Sequence, residues 1–249
     1  MSAMSTPSLP PRRADDVAGP DDVAEHGRLD DAWLVVPLFQ EEQVIGDVIA
    51  LARQTFPNVV CIDDGSTDRS AERARDAGAV VVHHPINLGQ GASLQTGISW
   101  VLAETDAEYL VTFDADGQHQ VSEAAAMVRR AHDEGLAVVF GSRFLDDRTR
   151  PGLLKRIVLT LAVWGTNRST GLRLTDAHNG LRVIRRDAAT ALDLHQDRMA
   201  HASEIVSQLG RTGLPWREHP VHVLYTDYSR AKGQSLLNSV NILVDLLFR

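Results

Sequence analysis

The chain has 249 residues, 43% of them hydrophobic, enough to bury a sizeable core in one large domain or two small ones. Its one cysteine, Cys61, excludes an internal disulfide and fits a reducing compartment. The net charge of −8 argues against a nucleic-acid partner, and it is unevenly spread. Residues 1–31 carry 3 basic and 7 acidic side chains, residues 32–140 carry 6 and 16, and residues 141–249 carry 16 and 10. An acidic half followed by a basic one suits a site where a cation neutralises carboxylates and basic side chains meet phosphate, although solvated surface gives the same count.

Residues 1–31 are rich in Pro, Asp, Ala and Gly and poor in large apolar side chains, the composition of a disordered tail, with no apolar stretch suited to a secretory signal. From there strands and helices alternate. WLVVPLF (33–39) reads as a buried strand and EEQVIGDVIALARQTF as a helix, with Val44, Ile45, Val48, Ile49 and Ala52 on one face. NVVCID is a second strand, and Ser66 or Thr67 is the expected cap of the helix in DRSAERARDAG, which ends at Gly78. AVVVHH, EYLVTF and LAVVFG read as further strands, separated by helices in GASLQTGISWVLAE and SEAAAMVRRAHDEG. This order predicts an α/β fold with a Rossmann-like, mostly parallel open sheet flanked by helices.

The rhythm changes after GSRFLDDRTRPG. Residues 153–171 read as an amphipathic helix carrying Lys155 and Arg156, followed by a strand in HNGLRVIRRD, a helix in RMAHASEIVSQLGRTG and a last strand in PWREHPVHVLY. A C-terminal amphipathic helix is expected over 234–249, too interrupted by polar residues to span a bilayer but suited to a membrane interface or a partner. The expected organisation is a tail (1–31), one domain (32–233) with a nucleotide-binding half (32–140) and an acceptor-binding half (141–233), and the terminal helix.

Open parallel sheets bind ligands beyond the carboxyl ends of their strands. Four polar clusters fall there: PLFQEE, DDGSTD, HHPINLGQG and DADGQH. Asp63 and Asp64 precede a glycine turn, so one carboxylate can accept hydrogen bonds from a base or a ribose, and both can equally serve as turn caps. Gly89 and Gly91 suit a close backbone approach at a helix start, although the pattern is not a dinucleotide fingerprint. Asp114 and Asp116 are hard oxygen ligands suited to Mg²⁺ or Mn²⁺, with Gln118 or His119 completing or buttressing the shell.

VVPLFQEEQVIGDVI, IDDGSTDRSAERA, NLGQGASLQTGI, FDADGQH, GSRF, DAHNGLRVIRRD and YSRAKGQS, in this order and spacing, resemble the GT-A family 2 glycosyltransferases, most closely the dolichyl-phosphate mannose synthase-like branch. The likeness runs from about Trp33 to the C-terminus. It implies a GT-A fold in which Pro37, Glu41, Asp63, Asp64, Asn87, Gly89 and Gly91 border the nucleotide donor. It further implies that Asp114, Asp116 and Gln118 hold a metal under the donor diphosphate and that Arg143 stands near the reacting phosphates. Lys155, Arg156, Arg230 and Lys232 fall where such enzymes bind an acceptor phosphate, with Asp176, Asn179 and Arg182 also on the acceptor side. The chain departs from the family at Gln40, at Gln90 in place of a common Lys or Arg, and at Asn179 and Leu181 in place of Ser and Phe.

The reaction implied is inverting transfer from GDP-mannose or a UDP-hexose to a polyprenyl phosphate. The enzyme would sit peripherally on the cytoplasmic face of a membrane, on the lipid surface or a small membrane-protein partner. Three other readings compete. One is a family 2 transferase acting on a sugar hydroxyl in cell-wall or polysaccharide synthesis, with Asp176 as general base. Another is a non-catalytic nucleotide-sugar-binding subunit, and the third, suggested by FDADG alone, is a phosphatase with an aspartate nucleophile.

Overall fold

The structure, a computed structural model, describes residues 27–145, 172–196 and 200–224. The elements in chain order are β1 (Ala32–Leu38), α1 (Ile45–Ala52), β2 (Asn58–Asp63), α2 (Ser70–Asp76), β3 (Val80–His83), α3 (Gln90–Glu104), β4 (Tyr109–Thr112), α4 (Val121–Glu134), β5 (Val138–Ser142), β6 (Arg182–Arg185), α5 (Arg186–Ala189), α6 (Ala200–Arg211) and β7 (Trp216–Pro220). The strands form one sheet in the order β3-β2-β1-β4-β6-β5-β7, with β6 antiparallel to both its neighbours and every other pairing parallel.

Strand residues alternate between two cores, as a pleated strand covered on both faces requires. Leu34, Val36 and Leu38 of β1 enter one with Ile45 and Ile49 of α1, Ala74 of α2 and Met127 and Val128 of α4. Val35 enters the other with Leu94, Ile98 and Val101 of α3, Ala188 of α5 and Ile205 and Val206 of α6. Pro37 follows the point where β4 pairing ends at Val35, so a residue without an N–H is tolerated in a central strand. Leu29, inside the span expected to be tail, is buried in the first core, and its N–H donates to the Thr55 carbonyl at 2.9 Å.

Local expectations hold for most boundaries and fail at two. Helix α1 begins only at Ile45, because Glu41–Val44 make a turn in which the Glu41 carbonyl accepts from Val44 and Ile45. Ser66 and Thr67 do not cap α2: Ser66 Oγ accepts from the Gln40 N–H and Thr67 Oγ1 from the Gln40 amide, while Asp68 Oδ1 accepts from the Ser70 N–H at 3.0 Å. Helix α4 ends as its sequence predicts, at Gly135 in the left-handed region (φ 63°), with the Leu136 N–H returning to the Ala131 carbonyl. The amphipathic helices expected over 153–171 and 234–249, with Lys155, Arg156, Arg230 and Lys232, lie outside the described residues.

Strand order reverses between β1 and β4, which makes their carboxyl ends the switch point of the sheet. Because β6 runs antiparallel, its amino end lies at that same edge, and the segment 176–181 leading into it arrives beside the end of β4. Thr112 Oγ1 at the end of β4 donates to the Gly180 carbonyl at 2.5 Å and fixes this junction.

Candidate active site

The chain leaves β4 through Asp114-Ala-Asp116-Gly-Gln118-His119. Gly117 takes a positive φ of 74°, and the Gln118 N–H closes the turn on Asp116 Oδ1 at 3.0 Å. Asp114 Oδ2 meets His119 Nε2 at 2.9 Å, and Asp114 Oδ1 accepts from the Gln90 amide at 3.2 Å. Gly180 leaves no room for a side chain here, since a β-carbon on it would come within 2.6 Å of Asp114 Oδ2. Burial works against ionisation of Asp114, but His119, Arg182 and His201 outweigh it and hold the carboxyl below the usual range. Burial also opposes the His119 imidazolium, and Asp114 overrides it, raising that histidine. Asp116 goes the other way, raised by burial and then by the Asp114 charge. Two neighbouring carboxylates that repel each other, one of them a third exposed, are a donor set suited to a divalent cation. Gln118, buried beside them, fits the same set.

Arg143, just past β5, meets Asp176 in the segment that leads into the neighbouring β6. Its Nε and Nη2 donate to Asp176 Oδ2 and Oδ1 at 2.7 and 2.9 Å, and its backbone N–H donates to Oδ2 at 3.1 Å. Burial alone would raise Asp176; the guanidinium outweighs it and holds the carboxyl below the usual range. Arg182 is 2% exposed and within electrostatic reach of Asp114 and Asp176, its guanidinium pushed down to about 10 by burial against the pull of both carboxylates. So buried a cation acts on the charges of Asp114 and Asp176. Asn179 is also buried, its Oδ1 accepting from the Leu181 N–H at 2.8 Å, so it shapes the turn into β6.

On the other flank, Asp64 accepts from the N–H groups of Leu88 (2.9 Å) and Gly89 (2.8 Å) and pairs with His84 at 2.8 Å. In this structure it holds the 84–89 loop. Asp63 pairs with His83 at 3.0 Å and accepts from the Ser66 N–H, tying β2 to β3. Gly89 adopts φ 98° ahead of α3, a conformation that favours glycine. The close approach at Gly91 is made by the chain itself, since a β-carbon there would come within 1.9 Å of the Gln196 carbonyl oxygen. Exposed Asn87 and half-buried Pro37 border the same edge, and the Glu41 N–H donates to Ser70 Oγ at 2.7 Å. Another group of possible ligands, Asp31, Glu108 and His132, lies at the amino ends of β1 and β4, the opposite end of the sheet from Asp114.

The sequence profile of glycosyl transferase family 2 matches residues 33–192 of this chain. The chain belongs to that family. An uncharacterised protein of Methanocaldococcus jannaschii is 33% identical over 227 residues, covering 88% of this chain and 92% of its own. The UDP-N-acetylglucosamine–dolichyl-phosphate N-acetylglucosaminyltransferase of Methanococcus voltae is 27% identical over 241 residues, covering 86% and 94%. Among solved structures, glucosyl-3-phosphoglycerate synthase from Mycobacterium tuberculosis, crystallised with Mn²⁺, UDP and phosphoglyceric acid, superposes with a TM-score of 0.60 at 18% identity, over 86% of this chain and 78% of that one. The fold is therefore GT-A, and the protein is a family 2 glycosyltransferase whose acidic turn stands at the edge where such a sheet binds ligands. Reading the sequence of this glycosyltransferase missed His178 and His201, whose imidazoles lie close enough to act on the charges of Asp176 and Asp114, and it missed Glu218 on β7. His178 sits inside DAHNGLR, a stretch read for Asp176 and Asn179, whereas His201 and Glu218 sit in no local motif.

Proposed function

We propose that this glycosyltransferase moves a hexose from a nucleoside-diphosphate sugar, GDP-mannose or a UDP-hexose, to a polyprenyl phosphate, with inversion. The observation that carries the reading is that an acidic turn, Asp114 and Asp116 after β4, and a basic group, Arg143 after β5, stand at the same edge of the sheet, on the two strands that flank β6. The Methanococcus voltae relative, named for transfer to dolichyl phosphate, supports a lipid phosphate as acceptor.

Asp114, Asp116 and Gln118 would hold Mg²⁺ or Mn²⁺, which supplies charge neutralisation to the departing diphosphate. Loops fixed by Asp63 and Asp64 form the nucleotide side of the cleft, bordered by Pro37, Glu41 and Asn87. A phosphate oxygen of the acceptor forms the new bond to the anomeric carbon as the bond to the donor diphosphate breaks, and that electron pair leaves with the diphosphate. A phosphate monoester has a second pKa near ~6, so the nucleophile is already anionic at neutral pH and no strong base is required. What the protein must supply is orientation of two anions and cationic compensation, the part assigned to Arg143. Transfer to a sugar hydroxyl would need a carboxylate base, and Asp176 is poorly suited: three donors from Arg143 occupy it and hold it ionised at low proton affinity.

No helix among the described residues is long and apolar enough to cross a membrane. Access to a lipid acceptor is proposed through peripheral attachment at the cytoplasmic face, on the bilayer or on a small membrane-protein partner.

A panel of GDP-mannose, UDP-glucose, UDP-galactose and UDP-N-acetylglucosamine, each with polyprenyl phosphate and Mn²⁺ or Mg²⁺, tests the reading. One donor should give a polyprenyl-phosphate sugar, and EDTA should stop it. Asp114→Asn and Asp116→Asn should each lower turnover by at least ~10²-fold while the protein stays folded. Donor binding that is equally tight with EDTA and in the double variant would overturn it.

A further inference from the structure

Glu218 lies on β7, in the stretch Trp216-Arg-Glu-His-Pro220, which carries no catalytic signature. Its Oε1 nevertheless accepts three hydrogen bonds from the segment that leads into β6: from the Thr175 N–H at 2.7 Å, the Thr175 hydroxyl at 3.0 Å and the Asp176 N–H at 3.2 Å. With its proton committed to Glu218, the Thr175 hydroxyl can only accept from Ser142 Oγ, 2.6 Å away, and Ser142 Oγ accepts in turn from the Phe144 N–H at 3.2 Å. The chain of donors thus runs one way, Phe144 to Ser142 to Thr175 to Glu218, and needs an oxygen that only accepts at its end.

The next residue along, Asp176, is the one that grips Arg143 by two guanidinium nitrogens and the backbone N–H. Strand pairing sets this up: β5 and β7 run parallel with Phe140 opposite Glu218 and Ser142 opposite Pro220, so Glu218 stands beside the strand that ends at Ser142, one residue before Arg143. The Glu218 carbonyl is itself held by Arg130 of α4 at 2.8 Å. Burial and the nearby Asp176 charge both act against a carboxylate at this position, raising it above the usual range. An apolar strand residue would avoid that cost.

We propose that Glu218 is a positioning residue. It fixes the Thr175–Asp176 turn so that Asp176 presents both oxygens to Arg143 and aims that cation at the reacting phosphates. The inference rests on the role given to Arg143 in the proposed function.

The test uses the full chain with Glu218→Gln, Glu218→Asp and Glu218→Ala, each examined in three ways. These are transfer kinetics with the active donor, the Arg143 Nε–H resonance (assigned by its loss in Arg143→Lys) and thermal melting. Gln keeps an accepting oxygen in place, so it should retain the Arg143 resonance and a kcat within about threefold of the parent. Asp withdraws the carboxylate by one methylene and Ala removes it. Both should broaden or abolish the resonance and lower kcat by at least about tenfold with donor KM little changed. If Ala fails to fold, the Asp variant decides. An unchanged resonance and kcat in Glu218→Asp overturn the proposal, and so does a Gln variant as impaired as Ala. A lost resonance with unchanged kcat supports positioning by Glu218 and overturns the part given to Arg143.

Discussion

At the scale of single residues, the site is governed by how each carboxylate is compensated. Asp114 is answered by His119, Arg182 and His201 and Asp176 by Arg143, while at Asp116 burial and the Asp114 charge outweigh His119 and leave it raised. For Asp176 the consequence for stability can be worked out. Its carboxyl is depressed in the folded state and near ~3.9 when unfolded, so the folded protein releases this proton more readily. The resulting stabilisation is complete above the unfolded value and is lost as pH falls through the folded one. Asp176→Asn should cost about 2 kcal/mol at pH 7, and its deficit should shrink as pH drops below about 4. Urea unfolding at a series of pH values measures this. A constant deficit across the acid limb would contradict the assignment.

At the scale of elements, the strands and helices of the first half were legible because each signals itself locally. β2 carries a run of five buried side chains, and α4 repeats its apolar residues at helical spacing and stops at a glycine that adopts the left-handed turn. The D-x-D was legible for the same reason, as polar residues closing an apolar strand. Less legible was how elements approach one another. Helix α3 lies so close to β1 and β2 that a β-carbon on Gly97 would come within 2.4 Å of Val35 and 3.1 Å of Ile62. Gly97→Val should therefore lift α3 off the sheet and destabilise the protein by about 1–3 kcal/mol, read as a lower urea midpoint. Transfer should weaken with it, because Gln90 and Gly91 open this helix at the edge of the site. The α2 cap was misread because Ser66 and Thr67 have a non-local alternative, Gln40 of the first loop, which their local sequence does not announce.

At the scale of the molecule, one sheet joins both cores, and the described part should unfold as a unit. Cys61 reports on this directly. It is wholly buried on β2, and burial with the nearby Asp63 charge pushes its thiol up to about 12. Native protein should resist disulfide exchange reagents, and labelling should appear only as fast as the sheet opens globally. Fast labelling under native conditions would mean that β2 opens on its own.

The amino-acid sequence by itself determined the order of strands and helices, the apolar faces that pair them and the acidic turn at the end of β4. Each of these is written within a dozen neighbouring residues, at periods of two or three to four, or as polar groups ending an apolar run. Tertiary structure alone decided that β6 runs antiparallel, that Arg182 is buried within reach of the charges of Asp114 and Asp176, and that Glu218 holds the turn bearing Asp176. These contacts join residues far apart in the chain, 42 positions in the case of Glu218 and Asp176, and depend on which strand lies beside which.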